Sequence, residues 1–172
     1  ETPFGSYAGD LFISEYIEGS SYNKAVEIYN GTGASVDLSD YEIRVYANGG
    51  GSPSATIGLG TGSLAHDDVF VLANSGANAA IMAVADATSG SANWNGDDVV
   101  VLAKSGSNMD VVGIIGSTTE PGADVTLVRQ SSVDAGTTTY ATGEWDSYAS
   151  DTTTYLGSHT FSGGGSATYV PG

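Results

Sequence analysis

The chain contains no cysteine, which removes disulfides, thiolate zinc sites and thiol nucleophiles together. It has only 4 lysines and arginines against 20 aspartates and glutamates, a formal net charge of −16. A nucleic-acid groove or a contact with an anionic membrane needs clustered cations, so neither is expected as a partner of this domain. No apolar run approaches the length that spans a bilayer. Charged residues make up only 14% of the chain and hydrophobic residues 40%, so the acidity is not that of a disordered tract. With 172 residues, the chain is long enough for one domain with a real core. An acidic, lysine-poor surface favours cations such as calcium and solubility in saline water, which points to an extracellular setting, secreted or on a cell surface. A start at Glu1 rather than Met agrees with removal of an export signal.

What is present is a series of short β-branched or aromatic runs separated by Gly, Asn, Ser and Asp. Strands are expected at 11–17, 24–30, 41–47, 69–73, 99–103, 110–115 and 125–130. Dense turn signals lie between them, among them Asn30-Gly31, Asn95-Gly96 and Pro121-Gly122. This spacing predicts an all-β sandwich or barrel. One stretch, GANAAIMAVA at 76–85, has helical character and predicts at most one short helix of two or three turns. DDVFVLANSG from Asp67 echoes DDVVVLAKSG from Asp97. Two copies are too few for a solenoid, and they read as two strands entered and left through the same turn geometry.

The stretch LFISEYIEGSSYNKAVEIYN, 11–30, raises an architectural question. Strict alternation puts Glu15 inward with Leu11, Ile13 and Ile17, and Glu18 outward. It puts Val26 and Ile28 inward, and Ala25, Glu27 and Tyr29 on the opposite face. A buried carboxylate needs a partner. Lys24 is the nearest in-phase cation, with backbone N–H groups of the 18–23 loop as the other donors. No second carboxylate or base nearby forms a recognisable acid/base pair, so Glu15, Lys24 and Glu27 read as structural.

Candidate sites are few. Asp67, Asp68, Asn95, Asp97, Asp98 and Asp110 form oxygen-rich loop clusters that could ligate calcium, although none matches a recognised calcium-loop pattern. The same residues also suit turn capping. His66 and His159 are distant in sequence and expected at strand ends. No Gly-x-Ser-x-Gly elbow is present. Trp94 and Trp145, with Tyr22 or Tyr46, could form a carbohydrate platform or plug the core. Asn30-Gly31-Thr32 is a formal glycosylation sequon that also reads as a good turn. The Gly163-Gly164-Gly165 linker leads to a β-prone segment, Ser166, Ala167, Thr168, Tyr169 and Val170. Such a tail could dock on its own sheet or donate a strand to a neighbour.

The run LFISEYIEGSSYNKAVEIYNGTGASVDLSDY resembles the opening of the bacterial secreted type of lamin-tail domain. LAHDDVFVLANSGA, NWNGDDVVVLAKSG, MDVVGIIG, TLVRQ and EWDSYASDTTTYLGSHT resemble its later segments in order, so that the likeness runs from about Asp10 to Thr160. The resemblance implies an immunoglobulin-like β-sandwich, with Trp145 a structural residue of the closing segment. It divides the chain into an N-terminal arm (1–9), the sandwich (10–161) and a Gly-rich tail (162–172). One departure is the short passage from Glu120-Pro121-Gly122 into Val125, where the family has a longer aromatic-containing insertion. The family's members are similar to binding and scaffolding modules, often beside an extracellular nuclease or phosphatase, not to enzymes. The expectation is a secreted, non-enzymatic module for self-assembly in a filament or surface layer, or for adhesion. It needs no cofactor, with calcium a candidate, and its partner is itself, another surface protein or a carbohydrate. The alternative is an accessory domain of a larger secreted hydrolase.

Overall fold

The computed structural model describes residues 7–163. The tail residues Ser166, Ala167, Thr168, Tyr169 and Val170 lie outside the described residues, as does most of the N-terminal arm. Twelve strands are present: β1 (Phe12–Glu18), β2 (Lys24–Tyr29), β3 (Val36–Asp37), β4 (Tyr41–Tyr46), β5 (Ala55–Gly58), β6 (Ser63–Leu64), β7 (Val69–Ala73), β8 (Ala87–Thr88), β9 (Val99–Lys104), β10 (Ser107–Val112), β11 (Val125–Arg129) and β12 (Trp145–Ala149). The first sheet has the order β12-β11-β1-β2-β7-β8 and the second β10-β9-β4-β5, with β3 and β6 pairing separately. All pairings are antiparallel except β7 with β8. The architecture is an immunoglobulin-like β-sandwich. Among the described residues, helix is confined to α1 (Ala79–Met82) and a 3-10 turn at Thr142–Glu144. The helix is shorter than its apolar pattern suggests: Asn78 caps it through Ile81 N–H, and the chain then turns into β8.

The main core lies between the sheets. Leu11, Ile13, Tyr16, Val26 and Ile28 meet Ile43, Val45, Val100, Leu102 and Val112 there. Trp94 fills the space beside them, stacked on Tyr16 with ring centroids 5.9 Å apart and donating its indole N–H to the Ile17 carbonyl. A second cluster coats the opposite face of the first sheet, where Phe12, Ile17, Ala25, Tyr29 and Val71 lie under Ile81 and Leu156. That sheet is therefore buried on both faces, which explains why every residue of β1 and β2 is buried.

Two bulges break the alternation. The β1–β2 register pairs Ile13 with Ile28 and then Glu15 with Glu27, so Ser14 is an extra residue. Beyond it Tyr16 turns to the main core and Glu15 joins Ile17 on the outer cluster side. Glu15 is therefore not in phase with Leu11 and Ile13, and Glu18 is not outward: it is buried and pairs with Lys24. A second shift, in β10 between Asn108 and Asp110, leaves Met109 unpaired and places Asp110 opposite Leu102, on the inner face.

Entry into the echoed strands is alike. Asp68 N–H donates to the Ala65 carbonyl, and Asp98 N–H to that of Asn95. The exits differ. Ser105 and Gly106, with φ of 49° and 82°, make the tight β9–β10 hairpin turn. Ser75 and Gly76 follow Asn74, whose side chain accepts from Gly76 N–H, and lead to α1.

Candidate functional site

Each of the four cations is held by a carboxylate. Lys24 Nζ lies 2.5 Å from Glu18 and also donates to the Gly19 carbonyl, closing the 18–24 loop. Lys24 thus serves Glu18 rather than Glu15. Arg44 pairs with Glu42, and Lys104 with Asp10. Arg129, wholly buried, meets Asp110 at 2.9 Å and Glu144 at 2.8 Å.

The Asp110–Arg129 centre ties the two sheets together. Asp110 accepts from the N–H groups of Ile13, Val111 and Thr137 and from both terminal nitrogens of Arg129. Arg129 also donates to the Ile13 carbonyl. Both polar groups of the Ile13 peptide, beside the Ser14 bulge, are thereby satisfied from the side-chain pair. The Arg129 guanidinium lies 4.4 Å from the centre of the Trp145 ring, so Trp145 is a structural residue.

Glu15 is also buried, 1% exposed, yet neither of its oxygens has a hydrogen-bond partner among the described residues. Its strand neighbour Glu27 is better served: Ser14 Oγ donates at 2.6 Å and Gly157 N–H at 2.8 Å. Burial, and then the charge of Glu27, push the Glu15 carboxyl up to about 9. Burial, opposed by those two hydrogen bonds, pushes Glu27 up to about 7. These carboxyls store protons inside the sheet, and the hydrogen bond from Gly157 shows what the second does: it pins the segment after β12 across the sheet.

The candidate calcium ligands are spread through the molecule. Asp110 is engaged at the sandwich centre as above. Asp98 accepts from Asn48 and Asn95 N–H groups, so it caps its own turn and anchors the β4–β5 loop. Asp97 occupies that same turn. Asp68 accepts from Val69 N–H, and Asp67 from the Tyr29 hydroxyl at 2.6 Å. Among the described residues no three His, Cys, Asp or Glu side chains converge as a metal's ligand set.

The indoles offer no sugar platform. Trp94 and Trp145 are both buried, as is Tyr46; of the proposed aromatic set only Tyr22 is exposed. Asn30 of the sequon is buried too. Its amide donates to the Ala34 and Leu64 carbonyls, and its oxygen accepts from both polar groups of Thr32. The fold needs this side chain and leaves it no room for a glycan. His66 lies at the rim and accepts from Gly33 N–H. His159 is more enclosed than a rim position, edge-on to Tyr29 and Phe12; burial, and then the charge of Arg129, press it down to about 4.

Sequence reasoning missed the Asp110–Arg129 centre. The signal was there in the scarcity of cations, since a chain with four of them places each deliberately. It also missed a cavity of about 280 Å³ beside β11 and β12, where Arg129, Asp146, Tyr148, Tyr155 and His159 meet. Tyr7 and Gly163 line another cleft together with Tyr29 and His66.

No curated protein and no solved structure matches the chain. A family model described as Lamin Tail Domain matches residues 5–116, which spans β1 to β10 and the turn after them. The TLVR strand and the Trp145 segment lie beyond that match, although β11 and β12 complete the first sheet. With well over half its length under that model and the sandwich it calls for, the chain belongs to the lamin tail domain family.

Proposed function

We propose that this domain is an extracellular, non-enzymatic module for assembly or adhesion, in which the tail after Gly163 engages another molecule. The observation that carries this reading is the commitment of all four cations to internal ion pairs. No positive patch remains for phosphate-rich partners, and the net charge of −16 favours a saline or cation-rich exterior. Of the buried carboxyls, Glu18, Glu27, Asp98 and Asp110 act in the same way, fastening loops and sheets rather than converging on a reacting atom. The family supports a binding or structural module. The β-prone Ser166–Val170 stretch, following a glycine linker, suits strand donation to a neighbouring sheet edge.

Electron microscopy and light scattering on the full chain, beside a version ending at Ser162 and each with calcium or chelator, test the reading. Filaments or large assemblies from the full chain alone support assembly through the tail. Two equally stable monomers refute it and favour an accessory domain of a larger secreted protein. Assembly that vanishes with chelator assigns calcium a part in the contact.

A further inference from the structure

Strand β5 is the last of the second sheet and, among the described residues, pairs with β4 alone. Leu59, one residue past it, donates its N–H to the Tyr41 carbonyl. Alternate residues bond in an antiparallel pair, so Leu59, Ile57 and Ala55 turn their backbone groups to β4. Thr56 and Gly58 turn theirs away, and both residues are exposed. Edges of this kind are usually guarded by charged side chains or bulges. β5 is short, but its register is unbroken and no Asp, Glu, Lys or Arg occurs from 45 to 66.

The two longest uncharged stretches of the chain are 45–66, which holds β5, and 152–172, which holds the tail. With a net charge of −16, two copies repel except where both surfaces are neutral. The two stretches also echo each other. GGGSPSATIG at 49–58 contains β5, and GGGSATYVPG at 163–172 repeats its glycine run and its Ser-Ala-Thr, with Tyr169 where β5 has Ile57. Ala55 and Ile57 are half-buried against the main core, and Thr56 lies on the other side. Ala167 and Tyr169 share the first phase, and Ser166, Thr168 and Val170 share the second. A strand of that pattern beside β5 extends the cover over Ala55 and Ile57 and pairs the outward groups of Thr56 and Gly58. Gly163 sits in a cleft with Tyr29 and Phe161 of the outer cluster, on the face of the first sheet turned away from the second. From there to Ser166 the chain reaches about 10 Å, roughly one sheet-to-sheet spacing. That falls short of the far edge of its own second sheet, whereas the edge of a neighbour can come to it. We propose that residues 166–170 of one copy add as a strand to the free edge of β5 in a second copy. This names the acceptor for the tail-mediated assembly proposed for the domain, and rests on that reading.

The chain has no cysteine, so introduced thiols report the contact directly. The full chain carrying Thr56→Cys is mixed with full chains carrying Ser166→Cys, Thr168→Cys or Val170→Cys in turn, oxidised, and read by mass spectrometry. Cross-strand neighbours lie within disulfide reach. A link between the two chains is expected with at least one of the three. Ala167→Cys and Tyr169→Cys, in the opposite phase, should link at least about tenfold less. Thr56→Pro removes only an outward N–H, which an edge strand tolerates, and should abolish assembly of the full chain in light scattering and electron microscopy. If that variant fails to fold, the exposed Thr56→Cys decides alone. No link at the three tail positions, or equal links at all five, overturns β5 as the acceptor. So does a link that forms only within one chain of the double variant Thr56→Cys with Thr168→Cys, which would put the tail on its own edge. Assembly that survives a folded Thr56→Pro but is lost on truncation at Ser162 overturns the acceptor and leaves the tail reading standing. A full chain that stays monomeric overturns both.

Discussion

Two bulges aim two carboxylates into the interior, and their fates differ. The shift at Met109 turns Asp110 to the inner face, where an arginine and three backbone N–H groups await it. The shift at Ser14 turns Glu15 to the outer cluster side, where no donor among the described residues reaches it and a second carboxyl lies opposite. The first charge is a fastener. The second is a protonated side chain kept in a nonpolar place. Burial therefore says little about what a charged residue contributes; its donors decide.

The sharpest way to break this comparison is to remove one partner of the satisfied pair. Asp110→Ala leaves Arg129 buried and undoes the Ile13 cap, at an expected cost of about 3–5 kcal/mol in denaturant unfolding. The double variant Asp110→Leu with Arg129→Met should recover part of that loss: no charge is then left wholly buried, while Glu144 turns to solvent and the Ile13 backbone groups stay unpaired.

Glu15→Met should have the opposite sign. At pH 8 it replaces an unpartnered carboxyl with a side chain of similar volume and should stabilise by about 1–4 kcal/mol. Near pH 4.5 the gain should shrink, since Glu15 is then about half protonated in the unfolded chain as well. A variant equally stabilised at both pH values would show that packing rather than ionisation is responsible.

The wild-type pH profile follows from the same groups. Glu27 and Glu15 have folded pKa values of about 7 and about 9, above the ordinary 4.5. The folded state then holds more protons than the unfolded one, so stability falls as pH rises from 4.5 towards 9. His159, held at about 4 against an ordinary 6.5, acts in the other direction and adds stability as pH rises from 4 to 6.5. Melting temperature should therefore peak in mildly acidic solution, and Glu15→Met should flatten the alkaline limb. A stability that keeps rising past pH 8 would contradict the protonated state assigned to Glu15.

The smallest effect is expected at the surface. Lys104 and Asp10 form a partly exposed ion pair, so Lys104→Ala should cost no more than about 1 kcal/mol and less in high salt. A larger loss would show that the contact of Lys104 with the Tyr41 ring matters more than its charge.

Much of the sandwich could be read from the chain. Strands form at all seven expected places, β7 with the expected ends and β10 three residues earlier than expected, and the alternation of β2 is as its residues suggest. The short strands β3, β5, β6 and β8 were not legible, because two to four residues carry too little pattern. β12 was missed since WDSYA lacks an apolar run; only its pairing with β11 makes it a strand. The bulges were invisible for a related reason. Ser14 is displaced to meet Glu27, and Asp110 is reached from Arg129, 19 residues away, and from Ile13, 97 residues away.

By itself the sequence determined the class of the protein: short β-rich runs and turn residues are local signals, legible before it is known which strands pair. The absence of cysteine and the scarcity of cations likewise bounded its chemistry. Only the tertiary structure decided which face each charge meets. One inserted residue reverses alternation, and whether it is inserted depends on donors brought together from far along the chain. The same packing turned two promising tryptophans and a sequon asparagine into core, and brought two tyrosines, a histidine and an arginine to one cavity.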